Sequence, residues 1–208
     1  MNKQPPEAIV LVHGLWVKRW TWNTYRRFLT SHGYQVYLFG YKTTKQTFDL
    51  SLMQLTAFVN SRPEQTVHLV VHSMGGILAM RALPRINKPG KLLMLGSPVN
   101  GSRAAQKLQA MGWHTSLLKH AAEPLIVGVS MPQVLRPSMM IAGTSPYGLG
   151  RLIERRLGPS DGTVGIDETE ADWIDQHEKV HSSHFGLLRN KYAMQKTLKF
   201  LQNKTTNY

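Results

Sequence analysis

"LVVHSMGG", residues 69–76, is a run of apolar residues that stops at a histidine, a serine and two glycines. Val67 to Val71 is apolar but for His68, the pattern of a parallel strand covered on both faces. Ile77 to Ala82 continues as helix, so the chain must turn from strand to helix at Ser73 with almost no room. Gly75 lets that helix start close against the strand, and Gly76 keeps its surface low. Such a turn projects the serine hydroxyl above the sheet edge and aims free backbone N–H groups at whatever bonds to it. A serine that merely caps a helix is the competing reading.

Outward from this turn the elements alternate. Ala8 to Val12 is a short β-rich run ending at His13-Gly14. Trp22 to Thr30 has a helical pattern with Thr21 as its cap, Gly33 ends it, and Tyr34 to Phe39 is a strand. Apolar positions at Phe48, Leu52, Leu55 and Val59 have helical spacing within residues 46–59. Lys91 to Leu95 is a further β-type run before Gly96-Ser97-Pro98. Residues 102–130 are less regular and read as packing over the sheet or as a small cap. Arg136 to Ala142 and Gln176 to His181 supply the last strands, and a basic helix from Leu187 to Gln202 closes the chain. Strands alternating with helices predict a mostly parallel sheet with helices on both faces. At 208 residues the chain suits one α/β domain spanning residues 1–208.

In such a sheet, chemistry collects at the carboxyl ends of strands. A serine hydroxyl attacks a carbonyl only with a base beside it and a group orienting that base. Of the nine histidines, His13 and His72 lie at strand ends, and His72 is expected to point away from Ser73. His32, His68, His114 and His120 lack a turn that would hold them over the sheet edge. His184, in "VHSSHFGLLRN", follows the last strand and precedes an apolar helix start, and it is the preferred base; His181 is its rival. For the carboxylate, Asp161 in "GPSDGTVG" lies in a turn after the strand containing Met140 and Ile141. Asp167 is the alternative. The chain order is then Ser73, Asp161, His184, as in hydrolases built on this sheet.

Three stretches, "VLVHGLW" at 10–16, "VHSMGG" at 71–76, and "SDGTVG" with "SSHFGLL" at 160–165 and 182–188, together resemble the α/β-hydrolase superfamily. The likeness is to its small bacterial lipases and esterases, and to lipases of the GPI-inositol-deacylase kind. "LGSPVNGS" at 95–102 is similar to the segment after the next strand in such lipases. The resemblance implies the α/β-hydrolase fold with reduced N-terminal strands and a short cap. It implies Ser73 as nucleophile, His184 as base and acid, Asp161 as orienting carboxylate, and an oxyanion hole from the N–H groups of Leu15 and Met74. No metal or other cofactor is needed for that chemistry. One departure is Val71, where the family's G-x-S-x-G pattern begins with glycine; the turn must open or its neighbour must be small.

Ester hydrolysis through an acyl-enzyme is the expected reaction, on a small-molecule or lipid acyl ester. Thioester hydrolysis, acyl transfer, or binding without catalysis would use the same residues. Trp16, with Met111 and Trp113 from the irregular region, is read as lining an apolar acyl site, and His13 is grouped with them. Trp22 reads better as core.

The chain is strongly basic, with formal net charge +13. Residues 1–153 hold 17 Lys or Arg against 4 Asp or Glu, and residues 154–208 hold eight of each. The excess is thinly spread, without zinc-finger spacing or an RNA-binding signature, which argues against a nucleic-acid role. Transient contact with an anionic membrane surface fits the same charge. With no cysteine, disulfides and thiolate chemistry are excluded. The opening residues lack the parts of a secretory signal, so the expected location is the cytoplasm, or that of a mature form whose leader has been removed.

Overall fold

A computed structural model of the chain describes residues 7–129, 136–154 and 157–203. Its elements run β1 (Ala8–Val12), α1 (Asn23–Ser31), β2 (Gln35–Phe39), α2 (Phe48–Asn60), β3 (Val67–His72), α3 (Met74–Ala82), β4 (Leu92–Leu95), α4 (Arg103–Ala110), α5 (His114–Leu117), α6 (Ala122–Val127), β5 (Ser138–Gly143), α7 (Leu149–Ile153), β6 (Gln176–Val180) and α8 (Lys191–Gln202). The six strands form one all-parallel sheet in the order β2-β1-β3-β4-β5-β6.

The period of two along each strand divides the core. Val10, Val12, Leu69, Val71 and Met94 face α2 and α3, meeting Leu52, Leu55, Val59 and Leu78. Their neighbours Ile9, Leu11, Val70, Leu93 and Ile141 face the opposite side, against Trp22, Tyr25 and Leu29 near α1 and Met194, Phe200 and Leu201 of α8. Covering both faces explains why β1, β3, β4 and β5 are buried at every residue.

The chain lays β2 on one side of β1 and then crosses back to lay β3 on the other. This reversal opens a crevice beyond the carboxyl ends of β1 and β3, the switch point where such sheets bind ligands. The residues after β1 and the turn after β3 both open onto it.

Two local expectations are corrected. Thr21 does not cap α1: its hydroxyl donates to the Lys18 carbonyl at 2.8 Å within a short 3-10 turn, and α1 begins at Asn23. Residues 102–129 are more regular than expected, because Ser102 caps α4 by accepting the Ala105 N–H, and α5 and α6 follow. Residue 130, the last of that expected segment, lies outside the described residues. Ala105, Leu108, Leu118 and Leu125 pack with Met74 and Ile77 of α3, placing these short helices over one end of α3. Among the described residues no helix is long and apolar enough to cross a membrane.

Candidate active site

Ser73 links β3 directly to α3, with φ 55° and ψ −128°. A non-glycine residue with positive φ is strained, by roughly 1–3 kcal/mol, and surrounding packing must hold it. The packing is tight on both sides. A Cβ on Gly75 would lie 2.8 Å from the carbonyl oxygens of Val12 and His13, and one on Gly76 would lie 2.2 Å from Ser97 Oγ. Val71 is accommodated inside the sheet, paired with Val12 and Met94, and the sharp turn forms with valine in that place.

His184 follows β6. Its ring Nδ1–H donates to Asp161 Oδ2 at 2.6 Å, and the two side chains are 3% and 2% exposed. A short, buried, charge-assisted bond of this kind fixes the tautomer and leaves Nε2 as the free acceptor. Asp161 is itself held by its own turn. Its Oδ1 accepts the N–H groups of Thr163 at 2.9 Å and Val164 at 2.7 Å, and its backbone carbonyl accepts the His184 N–H at 2.9 Å. The sequence "DGTV" thus folds as an Asx-type turn around one carboxylate oxygen and presents the other to the ring.

The two rivals lie outside this pair. Asp167 Oδ1 accepts from Arg103 at 2.6 Å near the surface, and His181 is exposed. Arg103 also donates to Glu168 Oε1 and the Leu157 carbonyl, so the start of α4 braces the segment that carries Asp161.

Ser73 and His184 line one cavity of about 80 Å³, with Leu15, Trp16, Ala105, Leu108, Leu118, Leu125, Ile153 and Phe185 supplying most of its apolar wall. In this structure the Ser73 hydroxyl makes no hydrogen bond to the ring; catalytic contacts of this kind often close only around substrate. The N–H groups of Leu15 and Met74, at the crevice between β1 and β3, have no acceptor among the described residues. Trp16 is 51% exposed and has φ 59°, with its N–H donating to Thr43 Oγ1.

Several expected lining residues lie elsewhere. His13 is buried under the loop: Nδ1–H donates to the Gly14 carbonyl at 2.9 Å, Nε2 accepts the Tyr41 N–H at 3.3 Å, and the ring stacks on Tyr41. It shapes the loop and does not line the cavity. Burial lowers its pKa, consistent with a neutral ring using both nitrogens. Met111 and Trp113 are exposed beyond the end of α4 and are absent from the cavity wall, because the inward positions of that helix are Ala104, Ala105 and Leu108. The Met74 side chain packs into the core beneath α4–α6.

Two contributors were not legible beforehand. His72 Nε2–H donates to the His184 backbone carbonyl at 3.0 Å, a link across 112 residues of chain. Burial, with the neighbouring His184 ring, holds its pKa well below the ordinary histidine value. Gly96, at φ 55°, lies against the pair: a Cβ there would be 2.9 Å from Asp161 Oδ2 and 3.2 Å from His184 Nδ1. "LGSP" was noted in the sequence, but only the assembled site shows what the glycine is for.

Residues 9–193 match the model of the alpha/beta hydrolase family. The chain belongs to that family. Among solved alpha/beta hydrolases, it is similar to the Bacillus licheniformis lipase in mature form, at 20% identity and TM-score 0.74, over 97% of this chain and 93% of that one. A metagenomic carboxyl esterase matches at 14% identity and TM-score 0.68, over 88% of this chain and 65% of that one. Legionella pneumophila phospholipase PlaB, in complex with thio-NAD, matches at 14% identity and TM-score 0.71, over 96% of this chain and 59% of that one. At these identities the likeness shows the alpha/beta hydrolase fold. No curated protein sequence matches significantly.

Proposed function

We propose that this alpha/beta hydrolase is a serine esterase that cleaves small carboxylic esters through Ser73, His184 and Asp161. The observation that carries the reading is the buried 2.6 Å bond from His184 to Asp161, with Ser73 and His184 lining one apolar cavity. Ser73 Oγ attacks the ester carbonyl carbon while His184 Nε2 takes its proton, and Asp161 stabilises the imidazolium that results. The oxyanion is held by the N–H groups of Leu15 and Met74. The C–O bond to the alcohol then breaks as His184 returns the proton to the leaving oxygen, giving an acyl-serine. Water, deprotonated by His184, attacks the acyl carbon; the bond to Ser73 Oγ then breaks as His184 returns the proton to Oγ, and the acid leaves. The small cavity favours short or medium acyl chains over triglyceride. The similar solved proteins include a lipase, a carboxyl esterase and a phospholipase, all named for ester substrates, which supports that bond type.

The test is labelling with a fluorophosphonate probe, mapped by intact mass and peptide digestion, alongside a panel of acyl esters and thioesters. A single adduct on Ser73, lost in Ser73→Ala and strongly slowed in His184→Ala, is expected. A folded wild-type protein that takes no label and turns over no ester would refute the reading.

A further inference from the structure

Around the mouth of the cavity the surface carries aromatic rings and cations together. Phe185, 45% exposed, packs edge-on against the His184 ring and lines both the cavity and an adjoining open groove. That groove is also lined by Trp20, 58% exposed, and by Arg189. Trp16 lines the same cavity as Phe185, and the exposed Lys18 and Arg19 lie between the two tryptophans in the chain.

The two chain segments that carry these rings hold charge of one sign. Residues 8–48 contain six Lys or Arg and no Asp or Glu, and residues 181–203 contain four Lys or Arg and no Asp or Glu. Among the described residues, Lys18, Arg19 and Arg189 take part in no ion pair. A solvated basic face would not need half-exposed tryptophan and phenylalanine rings beside its cations. Tryptophan rings sit at the level of lipid headgroups and an exposed phenylalanine enters the acyl boundary beneath, while Lys and Arg beside them are drawn to anionic phosphates.

We propose that this aromatic and basic rim docks the protein on an anionic phospholipid bilayer, with the mouth of the cavity turned toward the lipid. Docking is independent of the ester reading, since it needs neither Ser73 nor His184. Rings and cations act together: the cations bring the face to the membrane, and Trp20 and Phe185 enter the interface once it is there. Salt therefore weakens the first part and spares the second.

The experiment is co-sedimentation of the full chain with vesicles of phosphatidylcholine alone and of phosphatidylcholine mixed equally with phosphatidylglycerol, at low and high salt. Duplex DNA and glycerol phosphate serve as competitors. The variants are Trp20→Ser, the triple reversal Lys18→Glu, Arg19→Glu, Arg189→Glu, and Ser73→Ala. Binding to the anionic vesicles only is expected. The triple reversal should lower the partition coefficient by at least about 100-fold, Trp20→Ser should lower it by roughly tenfold, and Ser73→Ala should leave it unchanged. Circular dichroism and hydrolysis of a soluble short-chain ester check that Trp20→Ser and the reversal remain folded. Equal binding to both vesicle types would overturn the proposal. So would retained binding by the folded triple variant, displacement by glycerol phosphate, or DNA binding as tight as vesicle binding and indifferent to Trp20.

Discussion

Replacing Asp161 by Asn tests the site at its most constrained point. Oδ1 accepts two backbone N–H groups, from Thr163 and Val164, and Oδ2 faces His184 Nδ1 at 2.6 Å. An asparagine has one oxygen and one NH₂ for these two roles. Its oxygen must stay with the two backbone donors, so its NH₂ faces the ring, and Nδ1 must become an acceptor. The ring proton then moves to Nε2, where it blocks acceptance of the serine proton. Returning it to Nδ1 leaves two buried donors facing donors, at about 1–3 kcal/mol each. At 1.36 kcal/mol per factor of ten, that preference predicts a fall in kcat/KM of roughly 30-fold to 10⁴-fold. Folding should change little, because every hydrogen bond of the turn survives. Asp161→Ala should lose activity and also be destabilised by about 2–6 kcal/mol, since it strands both N–H groups. The assay pairs ester hydrolysis with urea unfolding of both variants. A folded Asp161→Asn protein within tenfold of wild-type activity would sink this account of the tautomer.

The glycine behind the pair gives a second test. Gly96→Ala puts a methyl group within 2.9 Å of Asp161 Oδ2 at a positive φ, so it should cost about 1–2 kcal/mol in unfolding free energy and lower kcat/KM by roughly tenfold or more. An active, fully stable variant would mean that Asp161 and His184 yield easily. Burial lowers the pKa of His13, His72 and His177 in the folded protein, so the unfolded chain binds protons first as pH falls. Stability from these groups is present above the unfolded value near pH 6.5 and is lost as pH drops toward their lowered values. The urea midpoint should accordingly be lower at about pH 5 than at about pH 7.5; a flat or rising midpoint would contradict it.

The strands were readable because both faces of the sheet are covered, so β1 and β4 are short unbroken apolar runs and β3 is apolar but for His68 and its last residue His72. Ser73, Asp161 and His184 stood out as candidates because each sits in a distinctive turn. What separates Asp161 from the alternative Asp167 is its own hydrogen-bonded loop and its bond to His184, neither of which the sequence displays. The cavity wall was misread at Met111, Trp113 and His13. Large or polar side chains drew attention, whereas the inward face of α4 is made by Ala104, Ala105 and Leu108. Small residues leave the cavity its space and give little hydrophobic signal in a sequence. His72 was expected to point away from Ser73 and to pack or bond locally. No spacing rule could show that its partner lies 112 residues further on.

That same bond bears on how the site moves. His72 and Ser73 share a peptide unit, and His72 grips the carbonyl of His184. The serine turn and the histidine loop are thereby linked at one shared pivot. When either sways, the other is carried with it, so the gap between hydroxyl and imidazole varies less than the position of either in the molecule. In the proposed reaction proton transfer is sensitive to that gap, and the linkage steadies it.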